Sequence, residues 1–171
     1  MINPVVQDAL NKQLNAEFYA AWLYLSMAGW CEENNWPGTT HWFKVQAAEE
    51  TQHAMKIFNY LHDRNGTIAL SEIMAPNNDW VSLPTAFEAA YAHEQSVTAS
   101  INELALLAHQ ENDRGTVVFL DWFVMEQIEE EKSTLAILER LQSFQDNVGM
   151  MYLLDQELGK REREACGLCE E

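Results

Sequence analysis

Glu50 and His53 stand three residues apart in the run Glu49-Glu50-Thr51-Gln52-His53. On a helix this spacing puts both side chains on one face, where a carboxylate oxygen and an imidazole nitrogen can share a cation. Alone, an E-x-x-H pair is a weak signal, because such pairs are frequent on solvated helix surfaces. Its setting strengthens it. Thr39, Phe43, Gln46, Glu50, His53, Ile57 and Tyr60 follow one another in alternating steps of four and three, which is the pattern of a buried seam. A charge placed in such a seam needs a compensating partner.

Three further stretches carry the same pattern with an acid near the middle. The first reads Leu10, Leu14, Glu17, Ala21, Tyr24, Ala28, Cys31. The second reads Phe87, Ala90, Glu94, Val97, Ile101, Leu104, Ala108. The longest reads Thr116, Leu120, Phe123, Gln127, Glu130, Thr134, Ile137, Leu141, Phe144. Each predicts an amphipathic helix.

The elements that must position these residues follow from the punctuation between the seams. A first helix opens at Asn3-Pro4 and runs to about Glu33, and Asn34 to Gly38 forms a turn. A second helix spans about Thr39 to Asn65 and stops at Gly66. Residues 66–84 have no helical period and contain Pro76-Asn77-Asn78-Asp79. Extended, that connector reaches about 60 Å, enough to cross a bundle of 27-residue helices about 40 Å long. A third helix runs from Pro84 to about Glu111, Asn112 to Gly115 turns the chain, and a fourth helix carries the longest seam. Asn147-Val148-Gly149 breaks it before a short apolar fifth helix from Met150 to about Lys160. The expected fold is all-α: a four-helix bundle with one long crossover plus a short C-terminal helix. Residues 1–160 form the domain, and 161–171 form a charged, frayed tail.

The turns bring the acids to one level. Residue 35, in the first turn, lies midway between Glu17 and His53, and residue 112, at the start of the third, lies midway between Glu94 and Glu130. Both incoming carboxylates, Glu17 and Glu94, precede their turn midpoint by 18 residues. Four glutamates gathered in a core repel one another unless they are protonated or bind cations. Two divalent metals balance them with His53 neutral. Oxygen ligands with one imidazole suit iron or manganese better than zinc. Glu50 is the natural bridge, with Glu17, Glu50 and His53 on the first metal and Glu50, Glu94 and Glu130 on the second. Gln127 sits beside them. Tyr24, two turns beyond Glu17, can hydrogen-bond a ligand or lend an electron, or serve as an ordinary core tyrosine.

Composition narrows the function class. The formal net charge of −17 argues against nucleic-acid and anionic-membrane partners and is compatible with attracting cations. No apolar run approaches a membrane span, the N-terminus does not read as a signal peptide, and three cysteines make no disulfide framework. These features point to the cytoplasm.

With these residues assembled, the chain resembles a bacterial non-haem ferritin. The resemblance covers residues 1 to about 160. It rests on Glu17-Phe18-Tyr19 with Tyr24, on Glu49-Glu50-Thr51-Gln52-His53-Ala54, on Glu94-Gln95, and on Trp122 to Lys132 with its Glu126, Gln127, Glu129 and Glu130. It implies a homo-oligomeric shell of 24 subunits and ferroxidase activity, in which Fe(II) is oxidised by O2 or H2O2 and stored as ferric oxyhydroxide. It also implies two irons per subunit and a third iron site nearby at Glu49, Glu126, Glu129 and Glu130. No haem is expected. Haem-containing relatives resemble this pattern but carry a methionine where Thr51 stands and a second E-x-x-H where Gln127 and Glu130 stand. A non-storage di-iron oxidoreductase of the peroxidase or rubrerythrin kind is the alternative, and a purely structural metal bundle is a second. Cys166-Gly167-Leu168-Cys169 departs from the ferritin pattern. His41, His62, His93 and His109 lack partners at ligand spacing, and the six tryptophans read as core and interface fillers.

Overall fold

The computed structural model describes residues 2–144 and 147–162. Cys166 and Cys169 lie outside the described residues. The chain forms α1 (Pro4–Glu33), α2 (Pro37–Asp63), α3 (Leu83–Gln110), α4 (Arg114–Ser143) and a short α5 (Val148–Leu158), with no strand among the described residues. The long helices pair as α1 with α2 and α3 with α4, while α1 also packs on α3, and α5 closes against α2.

Polar residues set the ends of these helices. Asn3, Ser82, Asp113 and Asn147 each accept a hydrogen bond from a backbone N–H in the first turn of the helix that follows. Three helices stop in the same way. Asn35, Asn65 and Asn112 take left-handed backbone angles, with φ of 61°, 52° and 56°. The next residue's N–H then reaches back to the helix: Trp36 to Cys31 O at 3.0 Å, Gly66 to Leu61 O at 2.8 Å, and Asp113 to Ala108 O at 2.9 Å. The sequence expectation assigned the end of α2 to Gly66, but Asn65 makes that turn.

Two other boundaries differ from expectation. α2 begins at Pro37 rather than Thr39, because proline's missing N–H costs nothing in a first turn. Gly38 lies inside that helix, and a Cβ there would meet Asp155 O of α5 at 1.7 Å. α5 begins at Val148 rather than Met150, with Asn147 as its cap.

The connector between α2 and α3 runs along α1 without regular secondary structure, and a ladder of α1 side chains holds it. Gln7 accepts from Thr67 N at 2.8 Å, and Asn11 both accepts from Ala69 N at 2.8 Å and donates to Thr67 O at 2.9 Å. Asn15 pairs with Ser71 N and Glu72 O, each at 3.3 Å, and Ser26 donates to Asn77 O. These contacts carry the chain along the bundle and return it beside the start of α3.

The apolar interior falls into two clusters. One contains Leu23, Met27, Phe43, Phe87, Ile137 and Leu154, and the other Leu10, Leu14, Ile57, Leu61, Ile101, Leu120 and Phe123. On every long helix the change from one cluster to the other falls at the acids: Glu17, Glu50 with His53, Glu94, and Gln127 with Glu130. These residues are buried to between 1% and 5% exposure. The core is thus two hydrophobic halves with a polar layer between them.

Candidate metal centre

Each long helix contributes to that layer from its middle, where the backbone is fully hydrogen-bonded and the side chains point between helices. Glu50 and His53 lie one turn apart, with His53 Nδ1 3.3 Å from Glu50 Oε2. Glu17, Glu50 and His53 each offer a ligand atom within 4.8 Å of the others. This is the set assigned from sequence to the first metal.

The assigned second set is arranged differently. Glu94 Oε1 accepts the Tyr24 hydroxyl hydrogen bond, while Glu94 Oε2 accepts from Gln127 Nε2 at 3.1 Å. Glu94 is close enough to Glu50 and Glu130 to press both carboxyls electrostatically. Glu130 belongs by distance to a second cluster with His53 and Glu126, again within 4.8 Å. Among the residues suggested for a third iron, Glu126 is therefore beside the centre. Glu129 is exposed, and Glu49 is buried with its Oε2 held by Arg161 Nη2 at 2.5 Å.

Sequence reasoning allowed Tyr24 a hydrogen bond to a ligand, which it makes to Glu94, but gave no role to Gln13 and Gln46, which orient other carboxylates. Gln13 Nε2 donates to Glu17 Oε1 at 2.8 Å and is itself fixed by Ser100 Oγ, which donates to Gln13 Oε1 at 2.6 Å. Gln46 Nε2 donates to Glu130 Oε2 at 2.5 Å and lies 3.5 Å from Glu50 Oε1. Both glutamines precede a seam glutamate by four residues, a spacing visible in the sequence. Arg161, expected in a frayed tail, binds α2 because its guanidinium finds Glu49 and Gln46 there. His53 is boxed edge-on by Trp122 and Phe123, with ring centroids 5.4 and 6.1 Å away, so its orientation is set by packing.

The electrostatics show what the layer lacks. Burial, then the charge of Glu50, pushes the Glu17 carboxyl up to about 8. Burial likewise raises Glu50 and Glu130 well above the usual carboxylate range, reinforced in Glu50 by Glu94 and in Glu130 by Glu50 and Glu94. Burial and Glu94 raise the Tyr24 hydroxyl well above its ordinary value, so it stays a neutral donor. Glu17 Oε2 is buried without a hydrogen-bond partner. Three buried acids pushed to hold protons, one of them with an unpartnered oxygen, are what divalent cations would discharge. The donor set, oxygen-rich with a single imidazole, fits iron.

The comparisons agree with this geometry. A family model described as a ferritin-like domain matches residues 7–144. A Haemophilus influenzae protein named "Probable bacterial non-heme ferritin-like protein" is 39% identical over 159 residues, covering 93% of this chain and 96% of its own. A Staphylococcus saprophyticus "Bacterial non-heme ferritin" is 38% identical over 161 residues, covering 94% and 96%. Among solved structures, an open pore ferritin from the hyperthermophilic archaeon Archaeoglobus fulgidus superposes with a TM-score of 0.94 at 42% identity, covering 95% of this chain and 100% of its own. A bundle split by a carboxylate layer, matched over nearly its whole length by these relatives, belongs to the ferritin-like family.

Proposed function

We propose that this chain is an iron-storage ferritin with ferroxidase activity, free of haem, working in the cytoplasm as a shell of 24 subunits. The observation that carries the reading is the polar layer, in which acids from all four long helices meet between two hydrophobic halves and burial raises Glu17, Glu50 and Glu130 toward a protonated state that a cation would discharge. Val148, Met150, Tyr152 and Leu153 are exposed apolar side chains around α5, which supports subunit contacts there.

In this reading Fe(II) is the substrate and the ferric mineral is the stored product. Glu17, Glu50 and His53 bind one ferrous ion, and Glu50, Glu94 and Glu130 bind a second. Glu49 and Glu126 extend the site toward a third, with Glu130 shared and Glu129 at its exposed margin. Two ferrous ions give one electron each, and dioxygen takes two electrons and two protons to leave as hydrogen peroxide. Hydrogen peroxide can serve as the oxidant in turn. The protein's own part is positional. Gln13 and Gln46 orient carboxylate oxygens, and Tyr24 and Gln127 hold Glu94. Phe123 and its apolar neighbours exclude water from one side.

The test is to add a large excess of ferrous iron to the metal-free protein in air and pass the mixture over a sizing column with iron detection. Soluble ferric iron far above site stoichiometry, eluting with a particle of about 24 subunits, is the expected result. Rapid oxidation with only a few irons on a small oligomer would replace storage by a di-iron oxidoreductase. Absence of protein-dependent oxidation would leave a structural metal bundle.

A further inference from the structure

Positive charge is scarce in this chain, with 10 Lys and Arg against 27 Asp and Glu, yet one arginine is committed to the edge of the carboxylate layer. Arg161 follows α5 and lies along one face of α2. Its Nη2 donates to Glu49 Oε2 at 2.5 Å and its Nη1 to Gln46 Oε1 at 2.7 Å. The guanidinium stands 4.7 Å from the Trp42 ring centroid, and the Arg161 carbonyl accepts from His41 Nε2 at 2.8 Å. The side chain is only 23% exposed.

Two consequences follow from these partners. The bond to Gln46 Oε1 turns the amide nitrogen of Gln46 inward, where it donates to Glu130 Oε2 at 2.5 Å. The bond to Glu49 sets a positive charge against a buried acid of α2 next in sequence to Glu50. Arg161 does not wander into this position, because α5 is pinned one turn earlier. Asp155 accepts from Thr39 N at 2.7 Å, and a Gly159 Cβ would lie 3.2 Å from Gly38 Cα.

We propose that Arg161 is a built-in competitor for a metal ion at Glu49, so that an ion engaging Glu49 Oε2 must displace the guanidinium, and the docking of the chain after α5 sets the affinity of the outer metal position. This rests on the reading that the carboxylate layer binds iron with Glu49 in a third position. Arg161 is a positioning residue and touches no substrate. An ion that takes Glu49 also releases Gln46 from its outer partner, so outer binding and the orientation of Glu130 are coupled.

Zinc, which is not oxidised, serves as the probe in calorimetric titrations of the metal-free assembled protein. In Arg161→Gln the weaker, outer class of zinc should tighten by about fivefold, on the order of the contribution of one partly exposed ion pair. The tight inner class should stay within about twofold, and Arg161→Lys should fall between, keeping the charge without the two-pronged contact. Amide hydrogen exchange gives a second readout. In the native protein, filling the outer class should speed exchange at residues 156–160 as Arg161 lets go. In Glu49→Gln that exchange should be fast from the start and indifferent to zinc. Outer binding that is unchanged or weaker in Arg161→Gln, or exchange that ignores zinc in the native protein, overturns the proposal. An absent inner class in the native protein overturns the metal-centre reading itself. Should Arg161→Gln fail to assemble, the exchange comparison decides alone.

Discussion

Asp155 of α5 closes the amino end of α2. Its Oδ1 accepts from Thr39 N at 2.7 Å and from Thr39 Oγ1 at 2.8 Å, and its Oδ2 accepts from Gly38 N at 3.1 Å. The carboxylate is 1% exposed and sits at the positive end of the helix dipole. Asp155→Ala leaves these donors buried without an acceptor and should lower stability by about 3 kcal/mol. Because α5 then loses its anchor, the assembled particle should break into smaller species on a sizing column. Asp155→Asn should recover part of the loss in denaturant titrations. Unchanged stability and particle size in Asp155→Ala would mean that α5 is held by its apolar contacts alone.

Glu50 stands between the two proposed iron positions. Its Oε2 faces His53 at 3.3 Å, and its carboxyl, raised first by burial, is raised further by the charge of Glu94. Glu50→Ala should therefore slow the first phase of iron oxidation by at least about 100-fold. It should also remove both tight ferrous ions from an anaerobic titration. The metal-free variant should lose no more than about 2 kcal/mol, because the cavity left behind is offset by removing one of several crowded buried acids. Rapid oxidation surviving in this variant would refute the bridging role. A large loss of metal-free stability would show that Glu50 is structural.

Much of this arrangement could be read in the sequence, for a physical reason. A seam spaced by threes and fours must be buried in a bundle, so an acid within it must meet the other acids at its level. Every seam residue from Leu10 to Cys31 is buried, as is every one from Phe87 to Ala108, while Tyr60 and Phe144 are only half-buried near the ends of their helices. The glutamines that orient the acids were also within reach, since Gln13 and Gln46 repeat one spacing. What the sequence hid depends on contacts between distant segments. Pro37-Gly38 reads as a turn until α5 is packed against it, because the reason for a glycine there is Asp155. Arg161 reads as part of a loose tail because its partner Glu49 lies 112 residues away. Glu126 and Glu129 look equivalent in one dimension, and only the helix's rotation separates them.

The protonated acids make metal binding pH-dependent in a defined direction. Glu17 is raised from 4.5 to about 8, so between those values the folded, metal-free protein holds a proton that the unfolded chain has released. Stability of the metal-free protein should then fall as pH rises through that window, by up to about 1.4 kcal/mol per pH unit for such a group. Glu50 and Glu130, raised in the same direction, add to the slope. Ferrous binding at neutral pH should release protons, and iron loading should flatten the slope. Thermal melts of metal-free and loaded protein across pH, with proton release followed by an indicator dye, check both statements. A metal-free protein that grows more stable from pH 5 to 8 contradicts them.

Tyr24 and Gln127 divide the two oxygens of Glu94 between them. Tyr24→Phe keeps the buried ring, which stacks on Phe43 at 6.0 Å between centroids, and removes only the hydroxyl. The fold should lose less than about 1.5 kcal/mol. Glu94, freed on one side, should hold its ferrous ion about tenfold more weakly, leaving the ion at Glu17 and His53 unaffected. An anaerobic ferrous titration separates the two. Equal weakening of both ions would argue that Tyr24 shapes the whole layer, and no weakening would reduce it to a core tyrosine.

Glu126 and Glu129 lie one turn apart on α4, but only Glu126 places an oxygen within 4.8 Å of ligand atoms on His53 and Glu130. Glu129 is exposed, where water screens its charge. Glu126→Gln should therefore weaken the third, outer ion by about tenfold, whereas Glu129→Gln should change that affinity by no more than about twofold. The first oxidation event should proceed in both variants, because neither residue belongs to the Glu17, Glu50 and His53 cluster. Later turnovers should slow in Glu126→Gln alone. Stopped-flow oxidation with successive ferrous additions distinguishes the phases. A larger effect at Glu129 would mean that the outer ion sits farther toward the protein surface than the His53, Glu126 and Glu130 cluster, with Glu129 reaching it from a different rotamer.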